Sequence, residues 1–178
     1  PARTDSVVGA IREVMADLET PVSAFLKLRQ GDYSFLLESV EGGERLARYS
    51  FIGVQPRAEY ILRNGQIEVR ENSQTRLIQL DDDPTRFLQE EMSRFSTERL
   101  PNAPRLIGGR VGYLGYESVW YFEPTLKSRM APASTASGTS TRSPLSAEIP
   151  DGIYLLADTV VAFDHARRSI FLIANVLD

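Results

Sequence analysis

The chain has 178 residues, 42% of them hydrophobic and 25% charged, with a net charge of −4 and no cysteine. That is the composition of a globular chain with material for one domain or a large half of one; it excludes disulfides and thiolate metal sites, and with no basic run it argues against a nucleic-acid partner. No apolar run approaches the roughly 18 residues of a membrane helix and no signal-peptide pattern opens the chain, which fits a cytoplasmic protein with no membrane partner.

Behind a Thr4 or Asp5 cap, apolar residues at Val7, Val8, Ile11, Val14, Met15 and Leu18 recur at the spacing of an amphipathic helix. Thr20-Pro21 ends it, and Pro21 sits where a second helix can begin, carried by Val22, Phe25, Leu26 and Leu28 to a stop at Gly31. Phe35 to Val40 then reads as a strand covered on both sides, with Phe35 and Leu37 pointing one way and Leu36 and Val40 the other. Glu38 and Ser39 sit inside that run. A half-buried carboxylate needs a cation or several donors, so something positive is expected beside Glu38. Either Arg48 supplies it as a structural ion pair, or the ammonium of a bound amino acid does, with the Ser39 hydroxyl completing the polar shell. Spacing alone does not choose between them.

Glu41-Gly42-Gly43-Glu44 reads as a turn into Arg48–Gly53, an antiparallel neighbour of the preceding strand. Tyr60, Leu62, Ile67 and Val69 alternate with polar residues around Asn64-Gly65, the pattern of a hairpin with a type I′ turn. Leu77, Ile78 and Leu80 suggest a further strand. At Asp81-Asp82-Asp83-Pro84 a helix begins, with Phe87, Leu88, Met92 and Phe95 inward; exposed amides at a helix start favour carboxylates, so the aspartates read as a cap rather than a metal site. The glycines at 108, 109, 112 and 115 lack the Lys-Ser or Lys-Thr of a phosphate loop and read as bulges or close backbone approaches, with Tyr113, Tyr116, Trp120 and Tyr121 as packing aromatics. Residues 130–148, rich in Ser, Thr and Pro, read as a flexible loop. Ile153–Phe163 and Ile170–Val176 form two strong strands joined through a turn holding His165, the only histidine, which reads as structural or solvent-facing. The fold class expected is α+β, a largely antiparallel sheet with helices packed on it, within a larger two-sheet sandwich.

Leu36-Leu37-Glu38-Ser39 followed by Arg48-Tyr49-Ser50-Phe51-Ile52-Gly53 resembles the amino-terminal region of anthranilate synthase component I, the large subunit that makes anthranilate from chorismate. Thr20-Pro21-Val22, Gly108–Glu117 and Asp158–His165 extend the resemblance in the family's order. The resemblance implies that residues 1–178 are a regulatory amino-terminal domain, in which Glu38, Ser39, Ser50, Arg48 and Pro21 border a pocket for the feedback inhibitor L-tryptophan. It also implies that no catalytic residue lies here. The chorismate site and its Mg2+ carboxylates would belong to a carboxy-terminal catalytic domain beyond Asp178, and a glutamine amidotransferase subunit, component II, is the implied partner. Aminodeoxychorismate synthase component I, a relative with the same architecture, and a free-standing amino-acid-binding module are the alternatives.

Overall fold

The structure is a computed structural model that describes residues 5–38, 48–80, 83–93, 95–97, 102–123 and 149–176. In chain order the elements are β1 (Asp5–Met15), α1 (Pro21–Leu28), β2 (Ser34–Glu38), β3 (Tyr49–Val54), β4 (Ala58–Arg63), β5 (Gln66–Glu71), β6 (Gln74–Gln79), α2 (Pro84–Met92), β7 (Phe95–Thr97), β8 (Gly109–Leu114), a 3-10 turn (Tyr116–Ser118), α3 (Val119–Phe122), β9 (Gly152–Ala157), β10 (Thr159–Asp164) and β11 (Ser169–Val176). They form a six-stranded sheet in the order β2-β3-β10-β11-β1-β7 and a five-stranded sheet in the order β6-β5-β4-β9-β8. The α+β expectation therefore stands. The chain divides into two compact units, one of Pro1–Ala58, Glu90–Val111 and Leu155–Asp178, the other of Glu59–Gln89 and Gly112–Tyr154.

The first segment is a strand, not the helix its spacing suggested. Residues 8–15 pair antiparallel with β11 from Val8↔Val176 to Met15↔Ser169, and Asp5–Val7 pair parallel with β7. Val7, Val8, Ile11 and Val14 are β-branched and Gly9 is a poor helix residue, so local preference opposes a helix and the long pairing decides. Ile11 and Val14 then serve opposite faces of the sheet.

Those two faces explain the unbroken apolar run at the centre of the sheet. Val161 and Phe163 join Ile52, Ile170 and Ala24 of α1 on one side, with Phe25, Leu36 and Val14 packed around them. Val160 and Ala162 join Phe171, Ile173 and Ala157 on the other, with Phe35, Phe51 and Ile107 alongside. A strand buried on both faces needs apolar residues at every position, which is what residues 160–163 supply. Helix α1 covers the first face through Ala24 and Phe25 and leaves Val22 and Leu26 exposed. Thr20 caps it in a reciprocal box with Ser23, and Pro21 occupies its first turn.

Several further expectations are corrected. Ile153–Phe163 is two strands broken at Asp158, whose carbonyl accepts the Asn175 amide at 2.8 Å and its side-chain Nδ2 at 3.0 Å; β9 lies in one sheet and β10 in the other. Phe95 begins β7 instead of closing α2. Tyr113 and Tyr116 are exposed, Tyr116 at 93%, so neither is a packing aromatic; the Trp120 side chain lies outside the described ones. Residues 39–47, which hold the expected Glu41–Glu44 turn, and 130–148, the expected flexible loop, lie outside the described residues.

The hairpin at Asn64-Gly65 is present, with positive φ of 50° and 77° at the two turn residues. Within its unit it is clamped by Asp151, whose Oδ2 accepts the Asn64 amide at 2.9 Å and the Tyr121 hydroxyl at 2.7 Å; the Gly65 amide donates to that same hydroxyl at 2.7 Å. Gly112 marks a close approach, since a Cβ there would fall 1.9 Å from the Ile153 carbonyl oxygen. At the start of α2, Asp83 Oδ1 accepts the Thr85 amide and hydroxyl, each at 2.7 Å.

Candidate functional site

Strands β2 and β3 pair antiparallel as expected, from Ser34↔Val54 to Glu38↔Ser50. Directly opposed residues project from the same face, so Glu38 and Ser50 stand at the polar end of the face that α1 covers, beyond Leu36 and Ile52. Ser50 is also opposed by Phe163 of β10. Pro21 lies at the start of the helix that rests on β2 and β3.

The burial predicted for Glu38 is not observed. Among the described residues strand β2 is the edge of its sheet, with β3 as its one neighbour; Leu37 is 43% exposed and Glu38 is exposed too. The electrostatic need for a cation beside a buried Glu38 therefore falls away, and the Arg48–Glu38 ion pair is not formed. Arg48 belongs to Asp164 instead. The β3–β10 register sets Tyr49 opposite Asp164, and Arg48, just before β3, reaches across to it: Nε is 3.1 Å from both carboxylate oxygens and Nη2 is 2.6 Å from Oδ2. The guanidinium also lies 4.9 Å from the centroid of the Tyr49 ring.

Asp164 is 1% exposed. Burial pushes its carboxyl up, but hydrogen bonds from Arg48 and from the Arg167 and Ala166 amides outweigh that and hold it below the usual carboxylate range. The same contact raises the Arg48 guanidinium. Asp164 so closes the β10–β11 turn as well as neutralising Arg48. The sequence reading missed this residue. An aspartate at a strand end, two residues before further turn positions, is the signal that pointed to it.

Ser50 is 2% exposed, and its Oγ lies 2.8 Å from His165 Nε2. His165 itself is exposed in the turn, and its backbone amide donates to the Arg48 carbonyl at 2.9 Å. The expectation that His165 is structural or solvent-facing holds for its exposure and omits this contact. Of the five residues predicted to border a pocket, Glu38, Arg48 and Ser50 thus come together at one end of β2, β3 and β10. Pro21 begins the covering helix, and Ser39 lies outside the described residues. Among the described residues no group of three or more His, Asp or Glu is arranged to hold a metal ion, and no helix is long and apolar enough to cross a membrane.

No family model matches the chain. It is 38% identical over 164 residues to anthranilate synthase component 1 of Neisseria gonorrhoeae, covering 92% of this chain and 31% of that protein. The component 1 proteins of Acinetobacter calcoaceticus, 33% identical over 97% of this chain and 33% of that protein, and of Acetivibrio thermocellus, 31% identical over 98% and 32%, match as well. The crystal structure of anthranilate synthase component I from Streptococcus pneumoniae superposes with a TM-score of 0.47 at 23% identity, covering 92% of this chain and 31% of that one. The chain spans about a third of the length of the curated relatives it matches. Along nearly all of its own residues, and over that third of theirs, it is similar to anthranilate synthase component 1.

Proposed function

We propose that this chain is the amino-terminal, regulatory part of an anthranilate synthase component 1 protein in tryptophan biosynthesis, and that the Glu38 end of β2 and β3 helps to form the feedback site for L-tryptophan. The observation that carries the reading is the 38% identity to a component 1 protein over 92% of this chain, joined to the Leu36-Leu37-Glu38-Ser39 and Arg48–Gly53 segments. In this reading the conversion of chorismate and glutamine or ammonia to anthranilate and pyruvate is performed by the remainder of the protein with its Mg2+ and a glutamine amidotransferase subunit. No described residue of this chain is assigned to that chemistry.

The exposed carboxylate of Glu38, which no described cation pairs, is free to meet the effector's ammonium. Ser39 is the hydroxyl expected beside it. Arg48, already neutralised by Asp164, acts on the ligand less as a net charge than as part of the frame. Tryptophan would favour an inactive arrangement only to the extent that it binds that arrangement more tightly than the active one.

The test is inhibition of anthranilate formation in the intact protein. Ser39→Ala is expected to shift the tryptophan inhibition curve to higher concentration and leave uninhibited turnover in place. An unmoved curve counts against the site, and a 4-amino product from chorismate counts against the anthranilate assignment.

A further inference from the structure

We infer that Asn64 is a latent modification site: its side-chain amide is lost to attack by the Gly65 nitrogen whenever the hairpin turn opens, and the Tyr121–Asp151 pair is the lock that keeps the turn closed. All four residues belong to one compact unit, and the inference is independent of the functional reading above.

The chemistry is a cyclisation followed by hydrolysis. The Gly65 nitrogen, having given up its proton, attacks Asn64 Cγ; the new N–Cγ bond closes a succinimide ring, the Cγ–Nδ2 bond breaks, and the proton leaves with the departing ammonia. Water then opens the ring at either of its carbonyls and leaves aspartate or isoaspartate at position 64, with nothing oxidised or reduced. Asparagine is a thermolabile residue, and a following glycine, with no Cβ to obstruct the attacking nitrogen, is the most permissive neighbour it can have. Isoaspartate routes the backbone through the former side chain. It thereby lengthens a two-residue loop whose size and positive φ angles set the pairing of β4 with β5.

Asn64 is exposed, so solvent reaches it and the restraint comes from the turn itself. The Gly65 amide donates to the Tyr121 hydroxyl oxygen at 2.7 Å, which holds the proton that must leave. That hydroxyl donates to Asp151 Oδ2 at 2.7 Å, and the same carboxylate oxygen accepts the Asn64 amide at 2.9 Å. An anion at the Gly65 nitrogen would therefore form close to a carboxyl group that is 3% exposed, where charge repulsion is weakly screened. On its other side the Gly65 carbonyl accepts the Leu80 amide at 2.9 Å and Gln79 Nε2 at 3.2 Å. The glycine cannot swing behind the Asn64 side chain without breaking bonds at both ends. Asn72-Ser73, in the turn between β5 and β6, provides the comparison: both residues are exposed and have positive φ, 50° and 62°. The serine Cβ hinders attack there, so an open chain converts Asn64 first; the lock reverses that order in the folded protein.

The experiment incubates the intact protein at mildly alkaline pH and follows aspartate and isoaspartate formation at positions 64 and 72 by peptide mass spectrometry. Folded wild type, folded Tyr121→Phe and wild type unfolded in urea are compared. Asn72 is expected to convert ahead of Asn64 in the folded wild type, and Asn64 ahead of Asn72 in urea. Tyr121→Phe, which removes the hydroxyl and keeps the ring, is expected to speed conversion at Asn64 about threefold or more and leave Asn72 unchanged. A rise at both positions alike would report general loosening and count against the lock. Asn64 converting ahead of Asn72 in the folded wild type, no reversal in urea, or an Asn64 rate that Tyr121→Phe leaves unmoved overturns the inference.

Discussion

Replacing Asp164 by asparagine tests the frame of the site with almost no change in volume. The native carboxylate is 1% exposed and gathers Arg48 Nε and Nη2 with the amides of Ala166 and Arg167. The oxygen of the substituted side chain can still accept the two turn amides at the Oδ1 position. Its amide nitrogen, however, would face the guanidinium donor to donor where Nη2 now meets Oδ2 at 2.6 Å. Charge-assisted hydrogen bonds contribute about 1.5–3 kcal/mol each, less than additively, and the Arg48 side chain is 37% exposed and can rehydrate in part. The expected loss is about 2–3 kcal/mol near neutral pH, read by urea denaturation. The pH dependence follows from the depressed carboxyl. Its folded pKa lies below its unfolded one, so its stabilisation is complete above the unfolded value of about 4 and is lost as pH falls through the folded value. Wild type and Asp164→Asn should differ by a constant amount above about pH 5 and converge below about pH 4. A neutral-pH difference under about 0.5 kcal/mol, or a gap that widens on acidification, would refute the reasoning.

Three further substitutions probe packing and turns. Gly112→Ala places a Cβ 1.9 Å from the Ile153 carbonyl oxygen and 2.7 Å from the Tyr154 Cα, both backbone, so a loss of about 2–3 kcal/mol in denaturation is expected. Gly53→Ala instead meets the Phe35 ring at 2.1 Å, which can rotate away; its cost should be about 1–2 kcal/mol and should shrink when Phe35→Ala is present, a coupling that a double-mutant cycle measures. Tyr121→Phe removes the hydroxyl shared by Asp151 and the Gly65 amide, and should cost about 1 kcal/mol and speed hydrogen exchange at Gly65 above all other hairpin amides.

What was legible in the chain depended on how local the deciding physics was. The Asn64-Gly65 hairpin, the proline starts of α1 and α2, and the pairing of β2 with β3 all follow from turn chemistry and short-range pattern, and all are present. Residues 7–18 were misread because apolar spacing fits a helix as well as a strand that supplies both faces of a sheet; the arbiter was β11, more than 150 positions away. Glu38 was misplaced for a related reason. Its apolar neighbours suggested cover on both sides, but whether a strand is central or an edge is set by its partners, and among the described residues β2 has one. The Arg48–Asp164 pair and the Ser50–His165 contact each join residues more than 110 positions apart, beyond any local signal.

The most direct test of the account is a structure of the intact protein with L-tryptophan bound. The ligand's ammonium is expected within hydrogen-bonding distance of Glu38. Tryptophan found at another place, with Glu38 still facing solvent, would contradict it.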